Sequence, residues 1–209
     1  MSATTAKIDT LTAHLWPATT RRAGALRTIV LVGLGAGLLT LSAKVQVPFY
    51  PVPMTLQTLV VLLIGAAFGW RLGVAAVALY LAQGLAGLPV FANTPPLMAG
   101  PLYLFGPTGG FLVGFLVATA IVGWAAERGW DRSAIKLALA MMVADALLLA
   151  LGALWLAFFA ALPGGATGVG LGRAWVAGVQ PFLLGEALKV AIAALAVPAT
   201  WRLLARLRG

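Results

Sequence analysis

The chain has 209 residues, no cysteine, 62% hydrophobic residues and only 9% charged ones. A soluble domain carries about a quarter charged residues, so lipid must solvate most of this surface, and the lack of cysteine excludes disulfides, thiolate chemistry and Cys-based metal sites. The net charge of +9 does not mark a nucleic-acid binder, because the cations lie in short clusters between long apolar runs and not along one face.

Residues 1–24, beginning MSATTAKIDTLTAHLWPATTRR, lack the basic-then-apolar order of a secretory signal. They read as a cytoplasmic tail with a short interfacial helix around Leu15 and Trp16. Residues 25–209 read as a single all-α membrane domain of six spanning helices. The first span covers Leu26 to Val45 and is broken by QVPFYPVP. The second runs from Met54 to Phe68 and stops at GWR; the third runs from Leu72 to Leu88. The next stretch, PVFANTPPLMAGPLYLFG, holds too much Pro and Gly for a regular helix. Residues 72–126 carry no charge; at about 20 apolar residues per crossing this run holds two helices and their connection. The fourth span starts near Pro107, a residue suited to a first helical turn, and ends near Ala126. ERGWDRS is a polar turn, and the fifth span runs from Ala134 to Ala160. LPGGATGVGLG reads as a flexible loop, and the sixth span runs from Val179 to Trp201.

Six crossings put both termini on one side. Of the 14 Lys and Arg, eleven fall on that side: Lys7, Arg21, Arg22, Arg27, Arg71, Arg128, Arg132, Lys136, Arg202, Arg206 and Arg208. The positive-inside rule therefore places the termini in the cytoplasm. Lys44, Arg173 and Lys189 are the exceptions. The loops after the first, third and fifth spans then face outward. Non-helical backbone at membrane depth must be covered by protein or line a cavity, so VPFYPVP and PPLMAGPLYLFGP are expected to fold inward as a cap.

Ionisable residues inside membrane helices are functional candidates. Asp145, Glu186 and Lys189 qualify, with Lys44 at the outer end of the first span. Glu186 and Lys189 are three residues apart and share a helix face. A buried pair that merely fixes packing is the plainer reading, but desolvation offsets much of its attraction. An anionic ligand as second partner for the lysine makes better sense of it. Asp145 reads equally as a helix contact, as an ion pair with Lys189 or Lys44, or as a ligand contact. Lys44 either snorkels to the outer headgroups or meets ligand. Gly33 and Gly37 have the small-xxx-small spacing that lets helices approach closely. His14, the only histidine, stands in the polar tail, and Ser42 and Ser133 have no histidine beside them for nucleophilic catalysis. No phosphate-cradling loop is present in the sequence, so ATP-driven work must come from another subunit.

Five stretches carry a resemblance: SAKVQVPFYPVPMTLQTL (42–59), GLPVFA (87–92), GPTGGFLVGF (106–115), GALWLA (152–157) and PFLLGEALKVAIAA (181–194). In this order they resemble the BioY family, the biotin-specific substrate-binding (S) components of energy-coupling-factor (ECF) transporters. The resemblance implies an ECF S-component fold in the bacterial cytoplasmic membrane. It implies a biotin site at the outer ends of the last three spans, and no cofactor and no catalysis in this chain. The partners it implies are a transmembrane coupling subunit and cytoplasmic ATPases, with Gly33 and Gly37 on the docking helix. Its expected substrate contacts are Glu186, Lys189, Asn93, Gln57, Lys44, Tyr103, Trp155 and Asp145, with Tyr50 as a further aromatic wall. Glu186 would accept from the ureido N–H groups, and Lys189 would donate to biotin or hold Glu186. Whether Lys44 or Lys189 takes the carboxylate stays open. Other readings are a stand-alone biotin carrier and an S component for another small vitamin. Two departures stand out: Glu186 replaces the family's usual Asp in PGDxxK, where Leu184 also replaces Pro, and NTPPLMAG differs from the glycine-rich loop common at that point.

Overall fold

The computed structural model describes residues 9–97, 99–162 and 164–208. The first eight residues of the expected tail, Lys7 among them, lie outside the described residues, as does the side chain of Arg208. The described residues are mostly helical. Helix α1 (Leu11–Leu15) precedes α2 (Arg21–Lys44), which starts where the Thr20 hydroxyl accepts from the Ala23 N–H. Strands β1 (Gln46–Val47) and β2 (Met54–Thr55) pair antiparallel, Gln46 opposite Thr55. Helices α3 (Gln57–Phe68) and α4 (Trp70–Leu85) follow, then the short α5 (Pro101–Phe105) and α6 (Gly109–Ala126). A 3-10 turn at Trp130–Arg132 leads to α7 (Ala134–Phe158), whose first N–H groups are capped by Ser133. The chain closes with α8 (Leu171–Gly178) and α9 (Leu183–Arg208).

The six expected spans need correction. Among the described residues, four helices are long and apolar enough to cross a membrane: α2, α6, α7 and α9. Helices α3 and α4 have 12 and 16 residues. At 1.5 Å per residue they reach roughly 18 and 24 Å, short of a hydrocarbon core of about 30 Å. The cause is local. Met54 and Thr55 are drawn into the hairpin with Gln46 and Val47, so α3 begins only at Gln57. At the other end Gly69, at φ +79°, turns α3 straight into α4, and Trp70 and Arg71 are helical. Two helices also occupy stretches read as irregular. They are α5, inside PPLMAGPLYLFGP, and α8, which begins in LPGGATGVGLG; that loop is itself pinned by an Ala161–Thr167 bridge. The last span starts later than expected and continues past Trp201 to Arg208.

Helix α6 is the hub, packed on α3, α4 and α7, with Ala118, Thr119, Val122 and Ala126 buried. It lies close enough to α7 that a Cβ on Gly114 would sit 3.0 Å from the Leu148 Cα. Helix α2 is peripheral: 22% of its apolar stretch is buried, against 67% for α6. Its outward face shows Leu26, Ile29, Leu34 and Leu41 to lipid, with Gly33 and Gly37 exposed among them.

The hairpin, α5 and α8 gather at one end of the bundle. The Gly69 junction and the 3-10 turn mark the other, where α1 docks through buried Leu11 and a Thr12 hydroxyl bond to the Ala67 carbonyl (3.0 Å). Guanidinium groups cover indole rings at this end: Arg71 on Trp70, Arg128 on Trp124 (3.6 Å) and Arg132 on Trp201. Such Trp and Arg groupings suit a membrane–water interface. Here too the Trp201 indole N–H donates to buried Asp131 (2.7 Å), tying α9 to the turn. Burial raises the Asp131 carboxyl above its ordinary 3.8, against the lowering pull of Trp201 and Arg132. The fold thus favours the protonated acid, so this contribution is full below the ordinary value and declines as pH rises through the folded one. Asp131→Asn is expected to flatten that dependence in thermal melts. Trp201→Phe, which leaves the carboxyl without its donor, is expected to cost about 1–3 kcal/mol.

Candidate ligand-binding cavity

A narrow cavity opens at the hairpin end, with about 50 Å³ of space for the centres of water-sized molecules. The hairpin contributes Val52, Pro53 and Thr55, and the first turn of α3 contributes Gln57 and Thr58. Tyr103 of α5 and Ala92 close one side. Thr108, Phe111, Leu112 and Phe115 come from the start of α6, Leu148 and Leu149 from α7, and Phe182 and Glu186 from the start of α9. The walls are apolar and aromatic with a few placed polar groups, as small-molecule sites usually are.

Glu186 is the one acidic or basic side chain on the lining among the described residues. Its Oε1 accepts from the Lys189 ammonium at 2.7 Å and from the Thr58 hydroxyl at 3.2 Å. Its Oε2 is buried and has no hydrogen-bond partner. Lys189, 8% exposed, stands behind Glu186 and does not line the cavity. Asp145 of α7 lies beside both, with Oδ1 buried and unpartnered. The charged pair is therefore part of a buried three-residue cluster, of which Glu186 is the member on the cavity lining.

The remaining candidates separate into lining and support. Gln57 and Tyr103 line the cavity. Gln57 also donates to the Tyr80 hydroxyl (2.7 Å), and the Tyr103 hydroxyl donates to the Ala92 carbonyl (2.8 Å). Lys44 does not reach the cavity. Its ammonium donates to the carbonyls of Pro89 (2.8 Å), Phe91 (2.8 Å) and Thr94 (2.5 Å), which ties the 89–94 loop to the end of α2. Asn93 holds a left-handed φ of 56° and accepts from the Gln46 amide (2.6 Å). It lines a separate outer vestibule of about 230 Å³, which shares Pro53, Tyr103 and Thr108 with the cavity. Trp155 donates to the Gly106 carbonyl (2.9 Å) and buttresses the GPTGG turn from behind. Tyr50 is 80% exposed at the hairpin tip and forms no cavity wall.

Sequence reasoning missed Thr58, Thr108, Phe111, Phe115 and Phe182. One usable signal was present: Phe182 precedes Glu186 by four residues, which places it one turn above on the same face. Thr58 and Thr108 stand within the PVPMTLQTL and GPTGG motifs, but a threonine beside a glutamine or a glycine has no distinguishing pattern.

The model of the BioY family matches residues 11–206. The chain belongs to the BioY family. Its match begins within α1, so the docked N-terminal segment is covered by the family pattern as well as the spans. Among BioY relatives, the biotin transporter BioY2 of Lactococcus lactis subsp. cremoris is 35% identical over 164 residues, covering 78% of this chain and 84% of that protein. The probable biotin transporter BioY of Pyrococcus horikoshii is 34% identical over 167 residues, covering 80% and 91%. The fold is that of the S-component for biotin from an ECF-type ABC transporter, whose 2.1 Å crystal structure matches with a TM-score of 0.73 at 20% identity, over 88% of this chain and 95% of that one. The protein is thus an all-α, multi-pass membrane protein with an ECF S-component fold.

Proposed function

We propose that this protein captures biotin at the outer face of the bacterial cytoplasmic membrane and delivers it inward as the S component of an ECF transporter. The observation that carries this reading is the Glu186 carboxylate, buried and held by Lys189 and Thr58 on the lining of a narrow aromatic cavity in a BioY-family chain. Biotin's ureido ring presents N–H donors that a buried carboxylate oxygen needs. Its ureido ring is planar and the fused thioether ring is apolar, suited to Phe111, Phe115 and Phe182. Lys189 and Asp145 set Glu186 from behind, and Gln57, Thr58 and Tyr103 supply further polar groups. The valerate chain leads toward the vestibule and Asn93. Lys44 and Trp155 act by holding the 89–94 loop and the GPTGG turn.

In this reading residues 25–209 form one transmembrane biotin-binding domain behind a cytoplasmic tail. Helices α3 and α4 also cross, their outer ends completed by the hairpin and the 89–94 loop, so that six crossings leave both termini inside. The exposed Gly33–Gly37 face of α2 meets a transmembrane coupling subunit, and ATP is hydrolysed by that assembly's ATPases; this chain needs no cofactor. The absence of native cysteine makes the topology directly measurable. Ala166→Cys is expected to react with an impermeant maleimide from outside intact cells, and Arg202→Cys only after permeabilisation.

Calorimetry on detergent-purified protein tests the function. Biotin is expected to bind tightly and one-to-one, and other small vitamins not to compete. A folded, monodisperse sample that releases no heat with biotin overturns the reading. Lys44→Met is expected to weaken biotin binding about tenfold, equivalent to ~1.4 kcal/mol, because the loop carbonyls lose their donor; Lys44→Arg should retain most of the affinity. Uptake into proteoliposomes without any ATPase would point instead to a stand-alone carrier.

A further inference from the structure

We propose that the groove between the hairpin tip and α8 binds an anionic glycerophospholipid, its phosphate held by Arg173. This rests on the topology above, which puts α8 at the outer face of the membrane. The groove measures about 720 Å³ and is separate from the biotin cavity. Tyr50 and Pro51 form one wall; Leu162, Val169, Gly172 and Val176 form the other. Its lining is otherwise mostly apolar, and Arg173 is its single charged group among the described residues.

Charge complementarity selects the occupant. Three Lys and Arg fall outside the inner group: Lys44, Arg173 and Lys189. The Lys44 ammonium is taken up by the 89–94 loop, and Lys189 is buried against Glu186. Arg173 is exposed, and it is the cation left to meet a ligand at this end. A guanidinium presents paired N–H donors that match phosphate oxygens. An acyl chain joined to a phosphate satisfies both halves of such a groove, whereas a soluble anion leaves the apolar wall wet.

The placement of α8 agrees. Ala174 and Gly178 are buried, and a Cβ on Gly178 would lie 3.0 Å from Leu156 of α7. The outward face carries Leu171 (59% exposed), Trp175 (54%) and Val176 (60%) beside Arg173. A short helix with Trp and Leu on its free face and one Arg, between two membrane helices, has the pattern of an element lying in the interface. Tyr50 and Pro51 belong to the same hairpin that supplies Val52 and Pro53 to the biotin cavity. A lipid seated in the groove would therefore brace the outer side of the cap.

Native mass spectrometry of protein released from nanodiscs of equal phosphatidylglycerol and phosphatidylcholine tests this. Wild type is expected to keep one phosphatidylglycerol, Arg173→Gln to lose at least five-fold in its retention, and Arg173→Lys to keep most of it. Gly172→Phe tests the apolar half independently. A Cβ at Gly172 meets nothing within 4 Å, so the ring can enter the groove without clash, and it should reduce retention similarly. Equal phosphatidylglycerol retention by wild type, Arg173→Gln and Gly172→Phe overturns the proposal, as does retention of phosphatidylcholine without preference. Biotin calorimetry on the same samples keeps the two ideas apart: biotin binding by Arg173→Gln together with lipid loss supports the lipid site, and a failure of every sample to bind biotin counts against the transport reading alone.

Discussion

Lys189→Ala is expected to abolish measurable biotin binding and to destabilise the protein by about 3–5 kcal/mol. The ammonium stands 2.7 Å from Glu186 Oε1, and the two side chains are 9% and 5% exposed. Removing it leaves Glu186 and Asp145 facing each other with no compensating cation, in a site that water barely reaches. Glu186 then loses the ammonium that sets it and swings away from the Thr58 hydroxyl that holds it at 3.2 Å, which removes the site. The double variant Glu186→Gln/Lys189→Met separates stability from function. It removes both charges together, so most of the lost stability should return while biotin binding does not. Thermal melts and calorimetry on the three proteins check this. A Lys189→Ala protein that binds biotin with wild-type affinity would reduce the pair to a packing device.

Gly110→Val is expected to lower biotin affinity by more than a hundredfold and to destabilise the bundle by at least the 1–3 kcal/mol typical of overpacking. A Cβ at this position would lie 2.2 Å from the Trp155 Cβ and 2.7 Å from the Leu151 carbonyl oxygen. Neither atom is the end of a flexible side chain, so the relief must come from α6 moving off α7. Thr108, Phe111, Leu112 and Phe115 line the cavity from that same first part of α6 and would move with it. The adjacent Gly109 is tighter still, since its Cβ would fall on the Leu104 carbonyl. Gly109 and Gly110 of GPTGG are thus required by close approach to neighbouring segments, and the motif acts on biotin through the wall it positions. Gly37→Ala is the contrasting control: nothing lies within 4 Å of a Cβ there, so biotin binding should be unchanged in the isolated protein.

Much of this was readable in the order of residues. Charge-free runs and clustered Arg and Lys mark lipid-facing helices, because a charge at membrane depth is costly wherever it sits. The same cost singled out Glu186, Lys189 and Asp145, which the fold brings together. The lengths of α3 and α4 were not readable. Met54 and Thr55 are as apolar or neutral as a helix start requires, and it is pairing with Gln46 and Val47 that removes them from α3. Trp155 and Lys44 have side chains suited to holding a ligand, yet they hold backbone, and Asn93 holds the Gln46 side-chain amide. Residue type states what a side chain can bond, whereas the partner within reach depends on the path of the chain.

Composition and charge spacing were enough to decide the solvent, the helical class and the residues that have no place in lipid without a purpose, since desolvation depends on residue type and depth alone. Which carboxylate reaches the cavity lining, that neither Lys44 nor Lys189 does, and that a groove with one arginine lies beside the cap are set by contacts between segments far apart in the chain. Thr58 meets Glu186 across 128 positions, and Lys44 meets the Thr94 carbonyl across 50. Such pairings arise when helices pack and loops fold back over their ends, and no local pattern encodes them.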